Sequence, residues 1–456
     1  MNQNIELPKD WKWVTFEDVA EGKNAIVDGP FGSNLKTSDY IDDTVNGVPV
    51  LTTKNLEGDY SDKKVRFISK EKFEELKRSQ VNPGDILVAK IGSIGKTGIY
   101  PKNGRIAIIP ANLLKFTVSK QVAFNYVYFY INSRDLQNRI KEISTATAQP
   151  AFNVTKFRKL LIPLPPKPTQ QAIVSKIEEL FSELDKGIEQ LKTAQQQLKT
   201  YRQAVLKWAF EGKLSASGFS RLKNEQDVAK KQILQSPNPV NPDSDNGELP
   251  DGWKLTKLGG YIEDISSGKS YRCDERPPNK DEIGIVKVSA VTWGFFDEME
   301  SKTCFLKDSF NEKYLIRKGD FLFSRANTIE LIGACVLVNT ITKTLMLSDK
   351  ILRFTFSKGV SKEYVLYYLR SRKGRKQIEM LSTGNQDSMR NIGQEKIRQI
   401  EFPYCPIEEQ NKIVQEIESR LSVADKMEES ITQSMQQAEA LRQSILKKAF
   451  EGRLVP

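Results

Sequence analysis

Residues 202–212 read RQAVLKWAFEG, and residues 442–452 read RQSILKKAFEG. These two phrases end a longer repeat, because residues 166–214 align without a gap with residues 406–454 at a constant offset of 240 positions. Of the 49 aligned pairs, 21 are identical. Repetition at a fixed spacing is the sequence signature of a duplicated structural unit, so the chain is predicted to consist of two related halves.

Each copy of the repeat has the apolar periodicity of a long helix. Apolar residues recur at steps of three and four, with some positions skipped to leave a step of seven, and a mean period of about 3.5 is typical of a coiled coil. Prolines precede each predicted helix, and Gly212 and Gly452 follow it, where helix start and stop signals belong. About 40 residues with a rise of about 1.5 Å give each helix a length of roughly 60 Å. The apolar positions are Ile173, Ile177, Leu180, Leu184, Ile188, Leu191, Leu198, Tyr201 and Val205 in the first copy, and Ile413, Ile417, Ala424, Ile431, Met435, Ala438, Leu441 and Ile445 in the second.

A helix of that length with a narrow apolar seam needs a partner. The other copy is present at high local concentration and is the predicted partner, in an antiparallel arrangement. Another protein or a second copy of this chain are the alternatives. Polar positions are also shared by both copies, for example Asp185 with Asp425 and Arg202 with Arg442. Because these four residues do not all fit an apolar seam, they are predicted to face a third molecule.

The composition describes a globular protein with little catalytic equipment. The chain has 456 residues, enough for several domains, with 39% hydrophobic and 28% charged residues. It contains no histidine, and the cysteines Cys273, Cys304, Cys335 and Cys405 form no Cys-x-x-Cys pair, which disfavours a zinc site and histidine-dependent catalysis. No stretch reaches the roughly 18 apolar residues of a membrane-spanning helix and no export signal is visible, so a cytoplasmic location is expected.

The two halves open with similar phrases, LPKDWK at 7–12 and LPDGWK at 249–254. Residues 215–248 are rich in Ser, Asn, Asp and Pro and are predicted to form a linker. The rest mixes short β-branched and aromatic runs with glycine and proline turns, which predicts a mixed α/β (α+β) domain in each half. The predicted boundaries are a first domain at 1–165, a helix at 166–214, the linker at 215–248, a second domain at 249–404 and a C-terminal helix at 405–456.

Lysine and arginine exceed aspartate and glutamate by 69 − 58 = 11, and the pI is near 9.1. Such a balance is typical of nucleic-acid binders, although a merely basic surface produces the same excess. Candidate contacts lie in polar, glycine- or threonine-rich loops with nearby basic residues, where arginine and lysine can pair with guanine, and asparagine and glutamine with adenine. The candidates are Lys36, Lys90, Ser93, Lys96, Gln149 and Asn153 in the first half, and Lys269, Arg272, Arg325, Asn327, Gln386, Arg390 and Asn391 in the second.

Motifs that suggest an enzyme are incomplete. KIGSIGKT at 90–97 is close to a phosphate-binding loop, but Lys90 replaces the first glycine. Glu211-Gly212-Lys213 has the pattern of a nuclease motif, yet its repeat at 451–453 has lost the lysine. PPNK at 277–280 lacks the aromatic residue that an adenine methyltransferase stacks on a flipped base. Neither catalytic residues nor metal ligands are therefore assigned.

The whole chain resembles the specificity (S) subunit of type I restriction-modification enzymes. The resemblance rests on two dissimilar α/β domains, each followed by a nearly repeated long helix that ends in Arg-Gln-x-x-Leu-Lys-x-Ala-Phe-Glu-Gly. A Pro-x-x-Glu-Gln motif or a variant begins each helix. The segment PKPTQQ at 166–171 departs from the acidic form that IEEQ keeps at 407–410.

The resemblance implies a DNA-reading subunit without catalysis of its own. Each domain would be a target-recognition domain that reads one half of a split, asymmetric site in double-stranded DNA. The paired helices would space the two domains in a pseudo-two-fold arrangement and dock two methyltransferase subunits, which bind S-adenosylmethionine. Restriction subunits that use ATP and Mg would join this complex, and no cofactor would belong to this chain. A coiled-coil scaffold that binds proteins is the alternative function, and a self-contained methyltransferase or nuclease is a third.

Overall fold

A computed structural model describes residues 7–455 except 33, 62–64, 146–149, 215–248, 293, 305–309 and 387–388. The chain divides into two compact units. Unit 1 consists of Met1–Leu191 and Gln433–Pro456, and unit 2 of Lys192–Thr432. Each long helix therefore begins in one unit and ends in the other. The predicted linker at 215–248 lies outside the described residues, and the domain boundaries drawn from the sequence stay predictions.

Unit 1 is a mixed α/β structure. Its helices are α1 (Lys70–Glu75), α2 (Phe124–Ile131), α3 (Arg134–Glu142), α4 (Val154–Arg158) and the first part of α5 (Lys167–Phe210). Its strands are β1 (Lys12–Thr15), β2 (Ile26–Asp28), β3 (Tyr40–Ile41), β4 (Val48–Val50), β5 (Arg66–Ile68), β6 (Gln80–Val81), β7 (Ile86–Ala89), β8 (Thr97–Ile99), β9 (Ala107–Ile108), β10 (Leu113–Phe116) and β11 (Leu161–Leu164).

Two sheets and one strand pair organise these strands. The central sheet has the order β2-β10-β7-β8 and is antiparallel throughout. A second sheet has the order β3-β5-β4-β9-β6, in which β4 and β9 run parallel, and β1 pairs with β11. All four residues of β7, Ile-Leu-Val-Ala, are buried, as a continuous apolar run predicts for a strand covered on both faces.

Unit 2 repeats this plan with a different second sheet. Its helices are α6 (Lys362–Arg370), α7 (Arg372–Leu381), α8 (Gln394–Arg398) and the first part of α9 (Ile407–Phe450). Its strands are β12 (Lys254–Lys257), β13 (Ile262–Ser267), β14 (Cys273–Asp274), β15 (Ile283–Val286), β16 (Ser301–Cys304), β17 (Phe321–Ser324), β18 (Ala326–Asn327), β19 (Cys335–Leu337), β20 (Thr344–Met346), β21 (Ile351–Phe356), β22 (Thr383–Gln386), β23 (Met389–Asn391) and β24 (Glu401–Tyr404).

The central sheet of unit 2 has the order β13-β21-β17-β19 and is also antiparallel. The second sheet has the order β14-β16-β15-β20, and a three-stranded sheet has the order β18-β23-β22. Strands β12 and β24 pair at the place that β1 and β11 take in unit 1. The mixed α/β fold predicted for each half is confirmed.

The same hydrogen bonds hold each domain to the start of a long helix. In unit 1, the buried Gln170 side chain accepts from the N–H of Ala123 and donates to the carbonyl of Pro165, both at 2.8 Å. In unit 2, Gln410 accepts from the N–H of Ser361 at 2.9 Å and donates to the carbonyl of Cys405 at 2.7 Å. The same glutamine therefore ties each domain to the start of the long helix that follows it.

The C-terminal end of a long helix also packs on each domain. Phe450 meets the rings of Tyr126 and Tyr130 edge to face in unit 1, with centroids 5.2 and 4.9 Å away. Phe210 meets Tyr364 and Tyr368 in the same way in unit 2, both at 5.1 Å. The repeated Ala-Phe-Glu-Gly phrase thus supplies an aromatic anchor that packs into a domain core.

Segments of α5 and α9 pair antiparallel within each unit. In unit 1, Ile173, Ile177, Ile445 and Ala449 share the domain core, and Asp185 accepts a hydrogen bond from Arg442. In unit 2, Arg202 binds Asp425 at 2.6 Å and Glu428 at 2.8 Å. The internal coiled-coil pairing is confirmed. The antiparallel register brings each arginine opposite an aspartate of the other helix, so these four residues pair with one another. Contact with a third molecule stays a prediction.

Candidate nucleic-acid interface

One end of the central sheet gathers the candidate loops of unit 1. Strands β2 and β7 both pair antiparallel with β10, so they run in the same direction and finish at the same end. The loops after Asp28 and after Ala89 therefore leave the sheet side by side. A third loop joins them, because Ile91 forms a β-bridge with Ala151 and the N–H of Phe152 donates to the carbonyl of Lys90.

Lys90 lies at the base of these loops and is buried. Its Nζ is 2.5 Å from the carboxylate of Asp28 and 4.8 Å from the ring centroid of Phe31. A buried ammonium that is paired in this way is held by the protein rather than offered to a phosphate. This pairing does not support the prediction that Lys90 contacts DNA. Asp28 lies 62 positions away in the chain, so no local pattern indicated the pair.

The remaining candidates of unit 1 differ in how much of each side chain is free. Lys36 and Ser93 are exposed. Lys96 is also exposed but binds Glu57 at 2.6 Å, an ion pair that DNA would have to displace. Asn153 accepts from the N–H of Thr155 and so caps helix α4. Gln149 lies outside the described residues.

The aromatic ring of Phe31 was not singled out from the sequence. It is 58% exposed, although it packs over Lys90. Its loop starts at Gly29, where a Cβ would collide with the carbonyl oxygen of Ile109. The sequence GPFG at 29–32 could have indicated this loop. A glycine that packs closely against a backbone determines where the following loop leaves the sheet.

Unit 2 has an equivalent sheet end. Strands β13 and β17 both pair antiparallel with β21, so the loops after Ser267 and after Ser324 leave together. Gly268 corresponds to Gly29, because a Cβ there would collide with the carbonyl oxygen of Leu347. Ala326 and Asn327 pair with β23, which brings the segment around 390 to the same place.

Arg325 takes the position in unit 2 that Lys90 takes in unit 1. Each follows the buried central strand, and each backbone N–H donates across the sheet, to Asn112 from Lys90 at 2.8 Å and to Lys350 from Arg325 at 3.0 Å. The side chains differ in their partners. Among the described residues, the guanidinium of Arg325 has neither a hydrogen-bond nor an ion-pair partner. Arg325 is therefore available for an anionic or base ligand.

The other candidates of unit 2 separate into exposed and internally bonded side chains. Lys269, Arg272 and Asn391 are exposed. Arg390 donates to the carbonyls of Gly384 at 2.9 Å and Ser382 at 3.0 Å, so it shapes the β22–β23 hairpin. Asn327 accepts from the N–H of Thr328 at 2.9 Å. The side chain of Gln386 lies outside the described part of the chain.

Buried charge elsewhere in the central sheet of unit 1 is structural. Lys115 on β10 lies 3.9 Å from Asp85, and both are buried. Burial lowers the pKa of Lys115, and the Asp85 carboxylate opposes that shift.

Glu211 and Lys213 bind each other at 2.9 Å at the end of α5, where Gly212 has a φ of +72°. Among the described residues, no group of three or more cysteine and carboxylate side chains is placed to hold a metal ion.

None of the helices in the described part of the chain combines the length and apolar character that a membrane crossing requires.

The fold and the site define a duplicated protein, in which each half presents a loop cluster with exposed cations at one end of a sheet. A family model described as the type I restriction modification DNA specificity domain matches residues 8–193 and again residues 250–437. The chain therefore belongs to this family, and the resemblance inferred from the sequence is confirmed.

Relatives match along nearly the whole chain. The type I restriction enzyme EcoKI specificity subunit of Escherichia coli (strain K12) is 23% identical over 459 residues, which cover 98% of this chain and 90% of the relative. The type I restriction enzyme EcoEI specificity subunit of Escherichia coli is 24% identical over 499 residues, which cover 95% of this chain and 81% of the relative. Relatives of this chain are thus specificity subunits.

Two solved structures share the fold. A chain from work on complex assembly and conformational transition of the type I R-M system is 16% identical, with a TM-score of 0.65 over 98% of this chain and 99% of that chain. The HsdS subunit from Thermoanaerobacter tengcongensis is 17% identical, with a TM-score of 0.51 over 99% of both chains. The architecture of two mixed domains and two long helices is therefore shared at low sequence identity.

Proposed function

We propose that this chain is the DNA-reading subunit of a type I restriction-modification complex and carries no catalytic centre of its own. One observation carries the proposal. The sheet ends of the two units have the same backbone plan but different side chains, as the pair Lys90 and Arg325 shows. A scaffold that holds two readers of different sequences requires this combination of constant framework and variable loops.

The two readers are proposed to lie within residues 1–165 and 249–404 and to recognise the two halves of a split, asymmetric site in double-stranded DNA. In unit 1, the side chains proposed to face DNA are Lys36, Ser93 and Lys96. In unit 2, they are Lys269, Arg272, Arg325 and Asn391. Lysines at these loops suit phosphates, whereas a free guanidinium suits the bidentate recognition of a guanine edge. Binding through so many cations weakens as salt concentration rises.

A second repeated surface supports the docking of two copies of one partner. In unit 1, Gly84, Phe124 and Gln171 line a shallow cavity between the turn before β7, the start of α2 and the start of α5. In unit 2, Gly319, Ser361 and Asn411 line the equivalent cavity beside β17, α6 and α9. A partner present twice needs the same surface twice, so we assign these cavities to two methyltransferase subunits, which would supply S-adenosylmethionine chemistry. Restriction subunits with ATP and Mg would join through that complex.

The test is modification mapping of DNA from cells that carry this chain with its methyltransferase partner. The proposal predicts a split, asymmetric motif with one methylated adenine in each half. Mapping with the partner alone is the control and should give no such motif. A continuous palindrome would exclude two different readers. If the assembled complex neither modified nor retained duplex DNA, the chain would instead be a scaffold that binds proteins.

A further inference from the structure

Two of the four cysteines lie directly opposite each other on neighbouring strands. Strands β14 and β16 pair antiparallel, with Cys273 in register with Cys304. The two Sγ atoms are 3.1 Å apart, and both residues carry free thiols. Directly opposed residues of antiparallel strands have Cα atoms about 4.5–5.5 Å apart. A disulfide spans about 4.4–6.8 Å between Cα atoms, so the backbone already has a suitable separation.

Access distinguishes this pair from the other two cysteines. Cys273 and Cys304 are half-buried, so a small reagent can approach them. Cys335 and Cys405 are fully buried in the core of unit 2. These two are therefore internal controls in the same chain for a reaction that requires access to solvent.

The two thiols of the pair have different chemical environments. The Cys273 thiol lies 3.5 Å from the carbonyl of Tyr271, to which it donates. Burial, together with the hydrogen bond to Cys273, raises the pKa of the Cys304 thiol to about 12. Cys304 therefore stays protonated at neutral pH, and the first nucleophilic attack on an oxidant is assigned to its partner, Cys273.

We propose that Cys273 and Cys304 are a reversible modification site, which a small-molecule disulfide converts into an intramolecular disulfide. The Cys273 thiolate attacks the oxidant, forms a mixed disulfide and expels one thiolate. Cys304 then loses its proton to the solvent, attacks Sγ of Cys273 and expels the second thiolate. Two protein thiols are oxidised and one reagent disulfide is reduced to two thiols, so electrons and atoms balance.

The site lies at the base of a proposed DNA-contact loop. Residues 268–272 connect β13 to β14 and carry Lys269 and Arg272, and Cys273 follows directly. One end of this loop is already fixed, because Gly268 is packed against Leu347. A covalent link to β16 would fix the other end. A change in how unit 2 reads DNA would follow, and this consequence rests on the proposed function.

The chemical test uses the full chain in complex with its partner, reduced and then incubated with oxidised glutathione. After quenching with N-ethylmaleimide, non-reducing digestion and mass spectrometry should show peptides of Cys273 and Cys304 joined, with two of the four thiols lost. Dithiothreitol should restore both. Cys335→Ser should leave the link unchanged, and Cys273→Ser or Cys304→Ala should abolish it. Four free thiols, a persistent glutathione adduct on Cys273 or a link between two chains would each overturn the proposal.

A binding measurement then separates the disulfide from the proposed function. The linked and reduced complexes are compared on duplexes altered in one half of the mapped site. A change of Kd confined to the half read by unit 2 supports the consequence for recognition, and equal Kd values in both redox states overturn that consequence. If the disulfide forms but the complex binds no duplex in either the linked or the reduced state, the proposed function is contradicted while the disulfide stands.

Discussion

Arg202 of the first long helix binds Asp425 of the second at 2.6 Å, and the repeat-related Arg442 binds Asp185. The two arginines are 240 positions apart, and so are the two aspartates. Each arginine therefore binds the aspartate that belongs to the other copy of the repeat. Only an antiparallel pairing of the two copies satisfies both contacts with the same residue types. The presence of this arginine and this aspartate in both copies is thus explained by the contact between the helices themselves.

Reversing the charges of one pair tests this relationship. Because the Asp425 side chain is 68% exposed, we expect Arg202→Asp to cost only about 1 kcal/mol of unfolding free energy after allowance for solvent screening. Adding Asp425→Arg should recover part of that loss, as measured by urea unfolding. Arg453→Asp, which changes an exposed arginine beyond the helix end, is the control and should not respond to Asp425→Arg. Additive effects of Arg202→Asp and Asp425→Arg would show that the pair contributes nothing.

The glutamine at each helix start should contribute far more to the free energy of unfolding than an exposed glutamine within the helix. Gln170→Leu leaves the N–H of Ala123 and the carbonyl of Pro165 without their side-chain partner. We expect a loss of about 1–3 kcal/mol, because buried polar groups become unsatisfied. Gln410→Leu should act alike in unit 2, whereas Gln197→Leu, at an exposed position of α5, is the control. Thermal unfolding of the full chain measures all three, and equal melting temperatures for Gln170→Leu and Gln197→Leu would argue against the assigned role.

Lys90 should behave as a structural residue. Lys90→Met leaves the Asp28 carboxylate largely buried without its closest cation, which is expected to cost about 3–5 kcal/mol. Converting both partners, with Asp28→Leu in addition, should recover much of that loss because no unpaired charge remains. Calorimetric unfolding of the single and double variants provides the comparison. A stable Lys90→Met protein with weakened DNA binding would instead restore Lys90 to the interface.

Each of the two equivalent cavities should be required for the binding of one methyltransferase subunit. Gln171→Arg introduces a long charged side chain at the cavity of unit 1, and Asn411→Arg does so in unit 2. Each single variant should reduce the number of bound methyltransferase subunits from two to one, and the double variant should abolish binding. Light scattering after size-exclusion chromatography gives the stoichiometry, with Gln197→Arg as the control. Two bound subunits in the double variant would place the docking surface elsewhere.

Local pattern and long-range contact explain which features were predictable from the sequence. The periodicity of residues 166–214 and its repeat predicted both long helices, and the glycines at 212 and 452 follow their ends. Buried runs such as Ile86–Ala89 are local signals of a strand. In unit 2, the expectation of loops was wrong for Asn327, Gln386, Arg390 and Asn391, which lie on the short strands β18, β22 and β23. The partner of Lys90 was not predictable, because a contact with Asp28 depends on strand order. The ion pairs of Arg202 and Arg442 depend on the register between helices, which periodicity alone does not define.

Arg325→Ala shows whether each domain reads its own half of the DNA site. The Kd of the wild-type and variant complexes would be measured on duplexes with single base-pair changes in each half of the mapped motif. Arg317→Ala is the matched control, since Arg317 precedes strand β17 whereas Arg325 follows it. We predict a loss of about 1–3 kcal/mol of discrimination at a position in one half, with the other half unchanged. Equal losses in both halves, or unaltered discrimination throughout, would show that the two domains do not read separate halves.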